Sequence, residues 1–350
     1  MLIPLLIVFT VTGNLAAQRV DVCRRGSEAL ARRDLAPAET LLKQCLKVHP
    51  GLLIPYVELC AVYQLQGKDN ELNSVAAEGL KRFPQEKRFY LTVGNHAGRE
   101  SRFDRAIGVF AEGRRRWPDD ARFQNGLAEA YLGRGMAMLD DKKNEAAQSD
   151  LRRAVELQPG NAEALLNLGR AQHNLNQTVD ALATFDRLAR ISPGTPLLHF
   201  HRGLILHALA EYDAAITEFS EEIRHNPEHP LSYYFRGISR IFQADWERAL
   251  ADLNIAVEKM PDNADAFYSQ GRCLLHLAKL PDAERAFQKS LQLNPSDTKA
   301  LYALGRLLLE SGRKEESDVL FRKATALNAE NRSAKSGEIK FKSFHSRKAQ

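Results

Sequence analysis

Val155-Glu-Leu-Gln-Pro159 closes an apolar, helix-like run with a proline, and the same cadence returns at Ala189-Arg-Ile-Ser-Pro193 and Leu291-Gln-Leu-Asn-Pro295. Proline lacks an N–H and clashes with helical backbone behind it, so each of these residues marks a helix end. The whole ladder is Pro50, Pro84, Pro118, Pro159, Pro193, Pro227, Pro261 and Pro295, with gaps of 34, 34, 41, 34, 34, 34 and 34 residues. A length of 350 residues would allow two or three globular domains. The fixed period overrides that expectation and predicts one array of helical hairpins.

With each proline placed at position 32 of a 34-residue frame, other columns appear. Position 8 is small: Gly26, Cys60, Gly94, Ala128, Gly169, Gly203, Gly237, Gly271 and Gly305. Position 20 is again mostly small, with Ala38, Leu72, Ala106, Ala147, Ala181, Ala215, Ala249, Ala283 and Ser317. Position 24 is bulky, with Phe110, Phe185, Phe219, Phe287 and Phe321. Small columns on two helices let backbones approach, and the ring fills the space they leave. In this combination the chain resembles the tetratricopeptide repeat, most clearly over Leu165-Leu-Asn-Leu-Gly169, Ala181, Phe185 and Pro193.

The resemblance implies an all-α fold, a right-handed α-solenoid of antiparallel helix pairs. Helix A would occupy positions 1–14 and helix B about 18–31 of units beginning near 19, 53, 87, 121, 162, 196, 230, 264 and 298. The array is expected over 19–331. Glycine after a helix end marks the turns at Gly67 and Gly312. The unit from Ala121 carries seven extra residues around Gly135, close to two helical turns, and both of its helices are expected to lengthen by about one turn. Residues 332–350, polar and basic, are expected to form a disordered tail.

The resemblance also implies a groove lined by positions 2, 5, 9, 12 and 13 of the A helices. Position 5 supplies Asn125, Phe200, Tyr234, Tyr268 and Tyr302, and position 9 supplies Arg170, Ile238, Arg272 and Arg306. With Phe242 alongside, these describe an apolar middle flanked by arginines. That surface suits a partner segment with an apolar anchor and at least one acidic group. The alternative reading is that tyrosine at this column is common in the repeat whatever the ligand.

Six lysines and arginines against two glutamates between Glu330 and Gln350 give +4 of the formal +5, so the repeat body is near neutral. That speaks against nucleic acid as a ligand, which needs a clustered basic face. Residues 1–17 read as a secretory signal peptide, an apolar run ending in Asn14-Leu-Ala-Ala17, with no lysine or arginine before it. The run is short for a span of about 20 residues, so no integral membrane span is expected after processing. An exported location follows: periplasmic, cell-envelope or extracellular.

Export would permit a disulfide from Cys45 to Cys23 or to Cys60; the alternative is that these and Cys273 are all small buried hydrophobes. His173 and His207 share a column, yet no closed metal-ligand set is present. Phosphate loops, HExxH and the nucleophile elbow are missing from the sequence. The expectation is a non-enzymatic scaffold without cofactor that binds a protein or peptide. Two other readings stand beside it: an envelope adaptor whose basic tail holds anionic lipid or polysaccharide, and an accessory subunit of an enzyme complex.

Overall fold

A computed structural model describes the backbone of residues 21–346 and the side chains through residue 330. The expected signal peptide lies outside the described residues. All regular structure among them is helical, as antiparallel pairs. The chain divides into two compact units, residues 1–184 and 185–350. The first holds α1 (21–31), α2 (Leu35–Val48), α3 (Leu53–Gln66), α4 (Asp69–Arg82), α5 (Lys87–Arg99), α6 (Phe103–Arg116), α7 (Ala121–Asp140), α8 (Asn144–Leu157) and α9 (Ala162–Asn174). Helix α10 (Thr178–Ile191) carries the boundary. The second holds α11 (Leu198–Ala208), α12 (Tyr212–His225), α13 (Pro230–Phe242), α14 (Trp246–Lys259), α15 (Ala264–His276), α16 (Leu280–Leu293), α17 (Thr298–Glu310) and α18 (Lys314–Ser346).

Each proline acts through the residue before it. His49, Phe83 and Met260 stop α2, α4 and α14 with φ of −129°, −128° and −129° and ψ near 70°, outside the helical region that a following proline disfavours. The turns inside each pair depend on a left-handed residue. Gly67 and Gly312 fill that role as expected, but Arg33, Ser101, Lys142, Asn176, Ala210, Ala244 and Ala278 do so too, with φ between 55° and 62°. At Ala244 the N–H reaches Ile241 O at 3.0 Å and the next N–H, of Asp245, reaches Arg240 O at 3.0 Å, so helix-end carbonyls are satisfied even without glycine.

The small and bulky columns make the core. Ala106, Ala215, Ala249 and Ala283 are fully buried, as are Phe185, Phe219 and Phe287. A Cβ placed on Gly203 or Gly271 would lie 2.6 Å from the ring of Phe219 or Phe287, a separation no side chain tolerates. Between the columns run ion-paired rungs from helix A to helix B: Arg134 to Asp150 at 2.6 Å, Arg202 to Glu218 at 3.2 Å, and Arg236 to Asp252 at 2.7 Å.

The lengthened unit departs from expectation. Helix α7 has 20 residues while α8 keeps the usual 14, so both extra turns fall in the first helix. Gly135, not Ala128, takes the small position against the second helix, since a Cβ there would lie 2.7 Å from Leu151. At its other end α7 keeps the ordinary register with the hairpin before it, Phe123 lying over Gly113. Seven residues return the helix nearly to the same face, which lets one helix hold both registers.

The tail also departs from expectation, because backbone helix continues through Ser346. Between Asn331 and Ser346 there is no proline and only Gly337 as a weak helix former, so nothing in the segment ends the helix. Among the cysteines, Cys23 pairs with Cys45, joining α1 to α2, while Cys60 and Cys273 are free.

Glu39 ties this first hairpin to the next. Lys43 donates to it at 2.6 Å and Lys68 at 2.8 Å, and these bonds hold its carboxyl down at about 2. A carboxyl lowered from 4.5 contributes stability that is fully present above the unfolded value and is lost as pH falls through the folded one. Glu39→Gln is therefore expected to flatten the stability profile between about pH 4.5 and pH 2. Urea midpoints measured across that range test this, and an unchanged slope would show that other carboxylates dominate.

Candidate functional site

In the first unit a groove of about 620 Å3 runs across α3, α5 and α7. Its edge is set by two helix starts built alike. Glu86 accepts the N–H of Arg88 at 3.2 Å and also its guanidinium at 2.8 and 3.1 Å. Asp120 accepts the N–H of Arg122 at 3.3 Å and its guanidinium at 2.8 and 2.6 Å. Each acid thus caps a helix and aims an arginine. Hydrogen bonds from Arg122, then Lys87, hold the Asp120 carboxyl well below its ordinary range, and Arg88 does the same for Glu86. A guanidinium has five N–H donors, so both arginines, half exposed, keep donors free for a ligand.

Amides line the middle of the groove. Asn95 is exposed, and Asn125 accepts from Gln158 at 3.0 Å, which leaves its own NH2 available. A second hollow of about 410 Å3, walled by Gly94, Gly98, Phe103, Phe110 and Ala130, shares Asn95, Gly126 and Glu129 with the groove. Cys60 lies in the wall, and burial pushes its thiol up to about 12, with Arg88 opposing, so it is no nucleophile at neutral pH. Guanidinium and amide donors beside an apolar hollow suit a carboxylate and main-chain carbonyls flanking an apolar side chain.

In the second unit, Arg272 and Arg306 line a smaller cleft of about 380 Å3, over a floor of Leu275, Phe287 and Ala303. The Arg272 guanidinium sits 6.0 Å over the Tyr268 ring, and Arg306 reaches Glu310 at 3.7 Å. The other expected groove residues divide. Tyr302 is partly exposed against Phe321, and Phe242 is exposed while stacked on Tyr212 at 4.8 Å. Tyr234 and Ile238 pack against the core, and burial raises the Tyr234 hydroxyl above its ordinary range although Ser269 bonds to it. Phe200 is a correction: it is 6% exposed and wedged among Phe219, His229 and Phe235, so it belongs to the core and not to a surface. Arg170 lies in the first unit, where it donates to Asn167 at 2.7 Å.

Arg88 and Arg122 escaped the sequence reading although a signal existed. Both stand at position 2 of units beginning at 87 and 121, a column assigned to the groove, whereas the groove residues expected from the sequence came from positions 5 and 9, with Phe242 at position 13. Among the described residues, no group of three or more histidine, cysteine or acidic side chains could hold a metal ion. None of their helices is long and apolar enough to cross a membrane.

Stacked antiparallel helix pairs with grooves across their first helices define a helical-repeat protein. The chain carries tetratricopeptide repeats: models of that repeat match residues 91–137 and 138–199. The model described as the cilia and flagella-associated protein 70 middle TPR-like domain matches residues 243–345. No curated protein matches the chain. Among solved structures, the chain is similar to PilW, a widely conserved type IV pilus biogenesis factor, at 17% identity and TM-score 0.52, over 57% of this chain and 93% of that one. It is also similar to the APC/C hetero-tetramer Cut9–Hcn1 at 14% identity and TM-score 0.50, over 83% of this chain and 56% of that one. A third, YrrB, titled a TPR protein with an unusual peptide-binding site, aligns at 20% identity and TM-score 0.47, over 54% of this chain and 97% of that one. At these identities the likeness concerns the fold alone.

Proposed function

We propose that this chain is a non-enzymatic interaction scaffold, acting outside the cytoplasm, that holds an extended partner segment in the groove across α3, α5 and α7. The single observation that carries the reading is the pair of acid-aimed arginines, Arg88 and Arg122, above exposed amides and an apolar hollow. A partner segment bearing a carboxylate next to an apolar residue satisfies all three features. The Arg272 and Arg306 cleft offers the second unit a similar, smaller contact. The exported location is supported by the Cys23–Cys45 disulfide, since such bonds persist in oxidising compartments.

Affinity capture with the wild-type chain, quantified by mass spectrometry, supplies the test. Arg88→Ala with Arg122→Ala is expected to weaken capture of the principal partner about tenfold, the loss of roughly 1.4 kcal/mol. The helical melting midpoint should not move, because both side chains are half exposed. Equal capture by the variant would remove the groove from the reading.

A further inference from the structure

Ion-paired rungs link helices A and B at α7 and α8, at α11 and α12, and at α13 and α14, and the hairpin that follows the last of these lacks one. In the hairpin of α13 and α14, the interior is filled by Arg236 and Arg240, both bonded to Asp252 at 2.7 and 2.5 Å. The next hairpin, α15 and α16, has Gln270, Leu274 and Ala286 at the same three places of the frame. The acid is gone and both cations are replaced by shorter neutral groups. Gln270 turns away to Asn254 of α14, at 2.9 Å, and a cleft of about 480 Å3 opens over Leu274 and Ala286.

The rim changes sign together with the interior. Where α13 and α14 carry Asp245, Ala251 and Ile255, α15 and α16 carry Lys279, Arg285 and Lys289 around the cleft. Arg285 is paired with Asp282, but Lys279 and Lys289 have no ion-pair partner among the described residues. Lys289 donates to the neutral amide of Gln292 at 3.2 Å, so neither ammonium is neutralised, and over an apolar floor the two attract carboxylates that flank an apolar side chain. All of these residues stand away from the groove lined by Arg272 and Arg306.

We infer that the cleft among α14, α15 and α16 is a second docking site, which takes an acidic segment of a partner protein and inserts one of its apolar side chains. The missing rung makes the room, and the basic rim selects the partner. Contact through the rim is electrostatic, so binding weakens as salt rises above about 0.15 M.

The probe is a fluorescein-labelled 12-residue peptide with two leucines set among glutamates, titrated by anisotropy against the full chain. Binding is expected, and it should fall at least tenfold with Lys279→Glu and Lys289→Glu. Gln270→Arg with Ala286→Asp rebuilds the rung of the preceding hairpin and should cause a similar loss by filling the cleft. If that interior pair fails to fold, as judged by circular dichroism, the rim lysines, exposed Lys279 and half-buried Lys289, still decide the question. Serine in place of the leucines should also abolish binding, and the fall caused by Lys279→Glu with Lys289→Glu should be as large when Arg88→Ala and Arg122→Ala have removed the groove across α3, α5 and α7. The inference is overturned if the wild-type chain does not bind the peptide, if neither cleft variant alters binding, or if the serine peptide binds equally well.

Discussion

Asp252→Ala is expected to cost about 3–5 kcal/mol, the range for removing one partner from a buried ion pair. The carboxylate is 3% exposed and accepts from Arg236 at 2.9 and 2.7 Å and from Arg240 at 2.5 Å. Its removal strands two guanidiniums that are themselves mostly buried, and burial already pulls Arg240 below its ordinary range with Asp252 opposing. Repeat arrays pass stability from neighbour to neighbour, so the loss should appear first as faster amide exchange in α13 and α14. Asp150→Ala offers an internal comparison, because its partner Arg134 is more exposed and also bonds Asp104. Its cost should be smaller. Urea midpoints for the two variants give the order, and a larger loss at Asp150 would contradict the burial argument.

The period and its columns made the fold legible because helix ends, small contacts and bulky fillers recur at spacings that sterics alone enforce. Pro261 and Ala283 could be placed without any structure, since one needs a stopped helix and the other a close backbone. What escaped was everything decided by which side of a helix faces a neighbour. Phe200 shares a column with Tyr268 and Tyr302, yet its ring has no hydroxyl to keep near water and turns into the core beside Phe219. The seven extra residues could be counted but not divided between helices, because two turns in one helix and one in each keep the same total. The register of Gly135 against Leu151 decides it, and that is a tertiary contact.

The rungs show how a repeat acquires individuality. The columns that build the hairpin are held constant, and function can enter only where side chains are not required to close the stack. Arg88, Arg122 and Asn95 stand at such places on the first helices, and Lys279 and Lys289 stand at such places beside the second ones. Substitutions at these residues should change partner capture without changing the fold, whereas removing a charge from an existing rung lowers stability.

Loss of the Cys23–Cys45 bond is expected to cost roughly 3 kcal/mol, as a cross-link closing a loop of about this length restricts the unfolded chain. The cysteines are 22 residues apart and join α1 to α2, a pair at the end of the described stack. Interior hairpins are held from both sides, while an end hairpin has a single neighbour, so the cost should concentrate in α1 and α2. Cys23→Ala with Cys45→Ala should therefore raise amide exchange in those helices and leave α8 and α9 unchanged. Alkylation separates the thiols further. Burial pushes Cys60 and Cys273 up to about 12, which leaves little thiolate near neutral pH to attack the bond. Chain isolated from cells under acid quench should accordingly yield a Cys23–Cys45 cross-linked peptide, with Cys60 and Cys273 labelled only after unfolding. Recovery of Cys23 and Cys45 as free thiols would remove both the staple and the chemical reason for placing this chain in an oxidising compartment.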